Sequence, residues 1–341
     1  MAITVKEIAQ LAGVSRGTVD RALKNREGIN PKTKQRILEI AKEYDYKPSI
    51  IGKALVYSKR SIKVSVILNS VGNEFFDEIK RGIFDAVNEY SSYGIEVELV
   101  EFKGYDSKDL LKKIEAIDSD TRALILTPIN DEAVEKKINE LAADGMCVIT
   151  LSSDIKESDR LAYVGCDYYK SGCVAGRLIQ LAADKNAHLC IVTGSVHHVG
   201  HQQRVTGLKD YITKKCSDIV ISSVVENQDD DDISYAQTIK TLKNDESIDF
   251  VYVTAGGVMG TVRAIKEINE KQNRHIKACC FAATPSIVEA VLGGDIEATI
   301  CQQPYEQGFT SVKLVFEHIV AKNEVKEFNY SDLIIKVDQS I

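Results

Sequence analysis

The sequence predicts an all-α helix-turn-helix headpiece followed by a larger α/β body of two lobes, in which parallel sheets are covered by helices. The first 55 residues hold three short amphipathic helical patterns. From residue 62 onward, short apolar runs alternate with longer amphipathic stretches, which is typical of repeated βαβ units. The body, about 280 residues long, exceeds one comfortable doubly wound unit, so two lobes are expected.

The headpiece prediction rests on a turn at Gly13. One helical pattern precedes this glycine over Val5 to Leu11, and a second follows it over Ser15 to Leu23. Thr4 and Glu7 match the capping box that satisfies free backbone donors at a helix start. Two short helices joined by a tight glycine-containing turn form a helix-turn-helix, whose second helix can enter the DNA major groove.

A third helix is predicted to begin at Asn30 and Pro31, which supply an N-cap and a preset first turn. It runs to about Tyr44 and carries Ile37 and Ile40 on its apolar stripe. We therefore expect a DNA-binding headpiece over residues 1–47, a hinge and linker over 48–60, and the two-lobed body over 61–341.

The charge of the chain is distributed unevenly. Residues 1–60 carry 13 Lys+Arg against 6 Asp+Glu, whereas the remaining 281 residues carry 30 against 44, so the net charges are +7 and -14. A basic headpiece on an acidic body suits phosphate contacts at one end of the molecule. The acidic body argues against DNA wrapping around the whole protein.

The sequence contains neither the apolar core of a signal peptide nor an apolar run long enough to span a membrane. The protein is therefore expected in the cytoplasm and is not expected to bind a membrane. The eight cysteines include no Cys-x-x-Cys pair, and reduced, mostly buried thiols are favoured. No cofactor is expected. His197, His198 and His201 supply two or three candidate metal ligands, but no firm fourth ligand accompanies them.

The headpiece closely resembles that of the lactose-repressor family of bacterial transcription regulators. The resemblance rests on TVKEIAQLAGVSRGTVDRAL, INPKTKQRILEIAKEYDYKPS and the short IIGKAL segment, which match in order and spacing over about 55 residues. It implies that Arg16 and Gly17 begin the recognition helix and that Arg21 reaches bases one turn later. Thr18 and Lys24 are expected at phosphates, and Thr4 and Ser15 complete the expected DNA-binding set.

The segment from Pro48 to Leu55 resembles the hinge helix of the same family, which forms on operator DNA. The resemblance implies that Leu55 is a wedge in the minor groove, a position where apolar side chains unstack a base step. Gly52 departs from the usual alanine and weakens an isolated helix by ~1 kcal/mol. An ordinary linker is the alternative.

Ten strands are predicted in the body, and helices lie between most of them. The chain is expected to cross between lobes near Ser152–Arg160, Ala282–Pro285 and Gln302–Gly308. The segments NEFFDEIKRGI, VITLSSDI, RLAYVGCDYYKSGCVAGRLI and ATICQQP resemble the periplasmic-binding-protein type I fold, which the family uses as its sensor. The predicted strands are Lys63–Leu68, Glu96–Glu101, Ala123–Thr127, Cys147–Leu151, Leu161–Val164, His188–Thr193, Val220–Val225, Phe250–Thr254, Lys277–Phe281 and Glu297–Ile300.

Ligands of such folds bind outside the carboxyl ends of the strands. The expected ligand-binding residues at these ends are Asn73, Phe75, Phe76, Ser152, Ser153, Asp154, His201, Gln202, Arg204 and Gln302. The aromatic residues suit stacking on a sugar face, or alternatively pack in the core. Arg204 either contacts the ligand or pairs with a neighbouring acid.

The resemblance also indicates which sugars fit poorly. Ribose-binding relatives carry an Asp-Arg pair at the positions of Ser152 and Ser153, and Asn and Asp at Ala255 and Ala282. A sugar or sugar derivative is therefore expected rather than ribose itself, and a sugar acid or a phosphorylated sugar remains open.

The expected function is that of a ligand-responsive, sequence-specific DNA-binding regulator that represses sugar-utilisation genes. Its expected partners are a two-fold symmetric operator, a small-molecule effector and a second copy of the chain in a homodimer. A sugar receptor without a regulatory role and an enzyme are the alternatives. No Gly-x-Ser-x-Gly, P-loop or His-Glu-x-x-His motif supports an enzyme. Whether the effector releases or recruits the regulator stays open.

Overall fold

The computed structural model describes residues 3–23, 26–44, 46, 61–195 and 198–341. The chain divides into two compact units, Met1–Lys59 and Arg60–Ile341. The first unit has a small core of its own, and the second has several larger clusters of buried apolar side chains.

The described residues of the first unit form three helices: α1 (Val5–Ala12), α2 (Arg16–Leu23) and α3 (Pro31–Glu43). The predicted capping box is present, because the Glu7 backbone N–H donates to Thr4 Oγ1 at 3.3 Å and the Thr4 N–H donates to the Glu7 carboxylate at 2.8 Å. Gly13 ends α1 in the left-handed region with φ 69, a conformation that glycine adopts without strain. Asn30 caps α3 through its side chain, as predicted.

The three helices share one core. Ile8, Val19 and Ile37 come one from each helix and are fully buried. Arg36 on α3 also donates from Nη2 to the carbonyl oxygen of Leu11 at 3.2 Å, which ties α3 to the end of α1. Packing in this shared core therefore fixes the orientation of α2 relative to α1 and α3.

In the second unit, the residues that the structure describes form twelve strands in two six-stranded sheets. The first sheet has the order β11-β5-β4-β3-β1-β2 and is parallel throughout. The second has the order β12-β10-β9-β8-β6-β7, with only β12 antiparallel. The strands are β1 (Ile62–Asn69), β2 (Ile95–Phe102), β3 (Ala123–Leu126), β4 (Cys147–Leu151), β5 (Ala162–Gly165), β6 (His188–Thr193), β7 (Val220–Glu226), β8 (Phe250–Val253), β9 (Lys277–Phe281), β10 (Ala298–Cys301), β11 (Phe328–Tyr330) and β12 (Ile334–Lys336).

Within residues 61–195 and 198–341, nine α-helices cover these sheets. In the first lobe, built on the first sheet, α4 packs against α12; in the second lobe, α7 packs against α8 and α9 against α10. Of the helices in the described ranges, none has the length and apolar character needed to cross a membrane. The nine are α4 (Phe75–Tyr90), α5 (Ser107–Glu115), α6 (Glu132–Ala143), α7 (Tyr168–Ala182), α8 (Val199–Lys215), α9 (Asp231–Asn244), α10 (Val258–Gln272), α11 (Pro285–Leu292) and α12 (Pro304–Val315).

All ten predicted strands are confirmed to within one residue at each end. The strand Phe328–Tyr330 was not predicted, because three residues are too few to show a pattern. The helix that follows β5 begins at Tyr168, because the Asp167 carboxylate accepts from the Lys170 N–H at 2.9 Å and so caps the helix.

The chain crosses between the lobes at residues 166–167, 302–303 and 331–333. The crossing expected in Gln302–Gly308 is confirmed. Those expected in Ser152–Arg160 and Ala282–Pro285 are wrong, because β4 and β5 are neighbours in the first sheet and β9 and β10 are neighbours in the second. In both cases a strand end was interpreted as an exit from the lobe, although the chain returns to the same sheet.

All eight cysteines have free thiols, and most are buried. Burial raises the pKa of Cys147 to about 12 and that of Cys190 to about 11. These thiols are therefore protonated and pack as small apolar groups, as the sequence indicated.

Glycines let two pairs of helices approach at backbone distance. A methyl group on Gly172 of α7 would meet the carbonyl oxygen of Arg204 on α8 closer than any real Cβ atom approaches, and the nitrogen of Leu208 at 2.9 Å. Gly207 of α8 meets the backbone of Tyr169 in the same way. In the first lobe, Gly82 and the helix α12 repeat this arrangement.

We expect Gly172→Ala to lower the free energy of unfolding of the second unit by ~1–3 kcal/mol, because overpacking forces α7 and α8 apart. Lys170→Ala, on the exposed side of the same helix, is the control and should change it by less than ~0.5 kcal/mol. Chemical denaturation of both variants measures the difference. Equal stability of the two variants would contradict the close approach.

Candidate functional site

In the first unit, α2 exposes the residues expected to read DNA. Arg16, Gly17 and Arg21 are exposed, whereas Val19 and Ala22 on the opposite face are buried in the headpiece core. The side chains on the exposed face do not pack in the headpiece core, so they are available to contact a binding partner.

Ser15 and Thr18 organise the start of α2. The Ser15 hydroxyl oxygen accepts from the Thr18 N–H at 3.1 Å, and the two hydroxyl groups lie 2.9 Å apart. The Thr4 hydroxyl similarly donates to the Glu7 carboxylate at 2.7 Å at the start of α1. Exposed helix N-termini are suited to phosphate groups, so the DNA roles predicted for these residues remain compatible with their capping roles.

Gly17 lies on the exposed face with open space around it. An added Cβ would have Ser15 Oγ as its nearest neighbour, at an ordinary 3.7 Å. The headpiece itself therefore does not require a glycine at this position. Lys24 and Leu55, also predicted to contact DNA, lie outside the described residues, and so does His197.

In the second unit, a cavity of about 830 Å³ lies between the two lobes. The carboxyl ends of strands from both sheets border it, as the sequence predicted. Seven of the ten expected ligand-binding residues line it: Asn73, Phe75, Phe76, Ser152, His201, Arg204 and Gln302.

Ser153, Asp154 and Gln202 do not line the cavity, which corrects the expected ligand set. The Asp154 carboxylate accepts hydrogen bonds from Arg160 Nη2 at 2.6 Å and from Thr150 Oγ1 at 2.6 Å. Its hydrogen-bond partners therefore lie within its own lobe. Ser153 is buried in a tight turn, in which its N–H donates to the Leu151 carbonyl at 2.7 Å. Successive side chains of an α-helix are rotated by about 100° around its axis. Gln202 therefore points away from the direction of His201 and is exposed.

Two phenylalanines form an aromatic wall on the side of the first lobe. The rings of Phe75 and Phe76 meet edge to face with centroids 5.4 Å apart. Phe76 is buried and Phe75 half-buried, and both line the cavity. Asn73 holds the turn before them, because its Oδ1 accepts from the Phe75 N–H at 3.1 Å. The two phenylalanines therefore pack in the core and also line the cavity.

Arg204 lies at the inner end of the cavity and is 3% exposed. Its guanidinium lies between the rings of Tyr168 and Phe281, at 4.7 and 3.8 Å from their centroids. One Nη donates to the carbonyl oxygen of Thr254 at 2.6 Å, and the other donates to Gln302 Oε1. The sequence left open an acidic neighbour for Arg204, but its partners in the described ranges 61–195 and 198–341 are neutral.

Gln302 connects the cavity to the three crossings. Its Oε1 accepts from Arg204 and from the Cys166 thiol at 3.3 Å, and Cys166 is the start of the first crossing. Its backbone oxygen accepts from Ser331 Oγ at 2.8 Å, and Ser331 starts the third crossing. The Ser331 N–H in turn donates to the Gly165 carbonyl at 2.8 Å. The three crossings thus form one hydrogen-bonded hinge behind the cavity.

His198 and His201 form a stacked pair at the cavity wall, with ring centroids 4.0 Å apart. Burial lowers the pKa of both imidazoles, that of His198 well below its usual range. His201 Nδ1 accepts from the Ser195 N–H at 3.2 Å, which places its proton on Nε2. Both rings are therefore neutral near pH 7, and the pair adds no positive charge to the cavity.

Asp229 and Tyr105 join the two lobes across the mouth of the cavity. The Tyr105 hydroxyl, from the loop after β2, donates to Asp229, in the loop after β7. Burial, together with the adjacent Asp229 carboxylate, raises the pKa of Tyr105. Asp229 Oδ1 also accepts from the Gly256 N–H at 2.8 Å. This contact forms only when the lobes are close, so it is a closure contact.

Several residues at the cavity rim have positive φ angles. Ser152 (φ 61), Ala282 (φ 72), Gln228 (φ 54) and Asp229 (φ 59) are all non-glycine residues in the left-handed region. Such conformations cost about 1 kcal/mol or more each and concentrate at ligand-binding sites. The strained positions follow β4, β7 and β9, where the sequence placed the binding site.

The sequence did not identify Tyr105, Tyr168, Phe281 or Asp229 as site residues. Each lies at or just after the carboxyl end of a strand, or at the start of the helix that follows. Applying the strand-end rule to β2, β5, β7 and β9 as well would have found all four.

Two families match this chain. Residues 4–49 match the family described as bacterial regulatory proteins, lacI family, and residues 64–323 match the family described as periplasmic binding protein domain. The first match covers the headpiece described above. The second covers most of the chain and includes both lobes.

The chain is also similar to particular proteins. It is 24% identical to the catabolite control protein A of Priestia megaterium, over 74% of each chain. It is 37% identical to the probable HTH-type transcriptional repressor ExuR of Bacillus subtilis (strain 168), over 31% of this chain and 32% of that protein. Its fold is similar to that of GanP, a glucose-galactose binding protein from Geobacillus stearothermophilus, with a TM-score of 0.74 and 24% identity over 83% of this chain and 99% of that one.

The exposed face of α2 generates a test of base reading. We expect Arg21→Ala to weaken binding to a preferred DNA sequence by ~1–3 kcal/mol and to relax sequence preference, because arginine suits the edge of guanine. Gly17→Ala, which the headpiece accommodates, should leave its fold intact. Binding of both variants to preferred and random DNA measures the effect. Equal losses on the two DNAs for Arg21→Ala would refute a base-reading role.

Proposed function

The chain belongs to the lacI family of bacterial regulatory proteins and carries a periplasmic binding protein domain, and we propose that it represses sugar-utilisation genes in response to a small-molecule effector. The effector is a sugar or sugar derivative bound between the two lobes. Such a regulator acts in the cytoplasm, where operator DNA is found. No catalytic activity is assigned to it.

The DNA-binding half of the proposal is supported by the headpiece. Its second helix exposes two arginines and a glycine, whereas its apolar residues are buried. Gly17 has no side chain, so Arg16 and Arg21 are proposed to carry most of the direct base readout. The headpiece also carries the positive charge of the chain, which suits the phosphate backbone.

The effector half is carried by one observation: the cavity of about 830 Å³ is bordered by both lobes and by the hinge between them. It combines aromatic rings that suit a sugar face with amide, hydroxyl and guanidinium groups that suit sugar hydroxyls. The proteins of similar fold include a glucose-galactose binding protein. A sugar-class effector therefore matches both the chemistry and the position of the cavity.

The mechanism is linkage between two ligands. A molecule in the cavity contacts both lobes and favours the closed arrangement, in which Tyr105 meets Asp229. If operator DNA favours a different arrangement of the lobes, each ligand changes the affinity of the other by the same factor. The sign of that factor decides between induction and corepression.

A homodimer on a two-fold symmetric operator is part of the proposal. Helix-turn-helix dimers place their recognition helices one helical turn of DNA apart, which matches a palindromic site. Leu55 is proposed as the minor-groove wedge between the half-sites.

Selection from a random DNA pool by the purified full-length protein tests the function. We expect a two-fold symmetric consensus, retained at physiological salt and lost with Arg21→Ala. Size-exclusion chromatography with light scattering should give twice the chain mass. Retention of all sequences alike would contradict a sequence-specific regulator.

The closure contact generates a second test. We expect Tyr105→Phe to weaken binding of a cavity ligand by ~0.5–1.5 kcal/mol, because one hydrogen bond of the closed form is lost. Tyr305→Phe is the matched control, since the Tyr305 hydroxyl donates to Asp85 at 3.1 Å within the first lobe. Isothermal titration calorimetry compares the two variants. The same loss in both variants would show that the Tyr105–Asp229 contact has no special part in closure.

A further inference from the structure

We infer that the effector is an anionic sugar, a monosaccharide whose carboxylate binds at Arg204. This inference rests on the proposed function and specifies the chemical class of its ligand. It follows from the environment of one buried cation, from the other charges around the cavity and from the helix ends that open into it.

The charge of Arg204 is not compensated by the part of the protein that the structure describes. Its hydrogen-bond partners are a backbone carbonyl, the Gln302 amide and the Cys166 sulfur, and no ion pair to a carboxylate is formed in residues 61–195 or 198–341. Among the described residues, none provides a hydrogen-bond partner for its buried Nε. A buried guanidinium without an opposite charge is unfavourable. A ligand that brings a carboxylate to this group removes that cost.

The aromatic rings on either side direct the ligand to that edge. Tyr168 and Phe281 cover the two faces of the guanidinium and stabilise its charge in part. They also prevent rotation of the plane. A ligand can therefore approach the guanidinium only along its edge, where the two Nη groups now donate to the neutral Thr254 carbonyl and Gln302 amide. A carboxylate is the acceptor that arginine binds best.

The remaining charged groups around the cavity favour one negative charge rather than two. The acids at the mouth already have partners: Asp229 receives Tyr105, Asp230 caps α9, and Asp232 pairs with Arg263 at 3.1 Å. His198 and His201 are neutral. Lys103 is the second cation at the rim and is exposed. A single buried cation balances the one charge of a carboxylate but only part of the charge of a phosphate, which carries nearly two.

Helix N-termini at the cavity add to the preference for negative charge. The helices α8 and α11 begin at the cavity, and their N-cap residues, His198 and Thr284, form no side-chain capping bond. The positive ends of their dipoles therefore lie at the cavity. Alone these ends would suit any acceptor, but together with Arg204 they favour an anion.

Matched sugars that differ only at C6 test the inference. D-Galacturonate and D-glucuronate carry a carboxylate where D-galactose and D-glucose carry an alcohol, and D-glucose 6-phosphate supplies the doubly charged alternative. We expect at least one of the two acids to bind the full-length protein about 30-fold or more tightly than its neutral counterpart, since a buried charge pair is lost with the alcohol. Calorimetry and thermal shift at constant ionic strength measure this.

Two variants connect the effect to Arg204. Arg204→Gln should remove the preference for the acid, so that the acid and its neutral counterpart bind with affinities within about 3-fold of each other, whereas Arg204→Lys should retain part of the preference because the charge remains. Thermal unfolding without sugar is a second readout. Arg204→Met should unfold at the same or a higher temperature than the wild type, because it removes an uncompensated charge from the interior.

Each alternative result overturns the inference. Tighter binding of a neutral hexose, or of the 6-phosphate, leaves the proposed sugar-responsive regulator intact but shows that the carboxylate is wrong. Binding of none of the five sugars also overturns it. A strongly lowered unfolding temperature for Arg204→Met would show that the protein already balances this charge. Failure of the proposed function is separate, because it appears as loss of sequence-specific DNA retention, which these measurements do not involve.

Discussion

The hydrogen bonds around Gln302 are the constraint on which the two-lobed unit depends. Three segments of chain pass between the lobes, and Gln302 or its neighbours bind all three together. The same side chain holds Arg204 in the cavity. A ligand that contacts Arg204 therefore acts on a group that is bonded directly to the hinge. Binding and lobe movement share one network, so they are coupled without a long intervening path.

The opposite side of the cavity is built differently. There the lobes meet through single contacts between side chains, Tyr105 with Asp229 and Ser286 with Glu74 at 3.2 Å. A firm hinge and a weakly held mouth are what a ligand-gated closure needs, because a few kcal/mol of binding energy decide between open and closed forms. The positive φ angles of Gln228 and Asp229 place backbone strain at the mouth, and that of Gln303 (φ 51) places strain at the hinge as well.

Local patterns in the sequence predicted most of the fold, and they failed where distant residues decide. The capping box at Thr4, the turn at Gly13 and the strand runs depend on neighbours within a few residues, so they could be predicted. Asp154 was expected in the cavity because it follows a strand, but its partner Arg160 was not visible as such in the sequence. Likewise, the contact between Tyr105 and Asp229 joins residues 124 positions apart, which no local pattern indicates.

The central claim is that occupancy of the cavity and binding of DNA are thermodynamically linked. The most direct measurement is the affinity of the full-length protein for its selected DNA, with and without a saturating concentration of the cavity ligand, alongside the ligand affinity with and without DNA. The account predicts that both affinities change by the same factor, about 5–150-fold in typical allosteric proteins. A DNA affinity that is unchanged while the cavity is filled would contradict it.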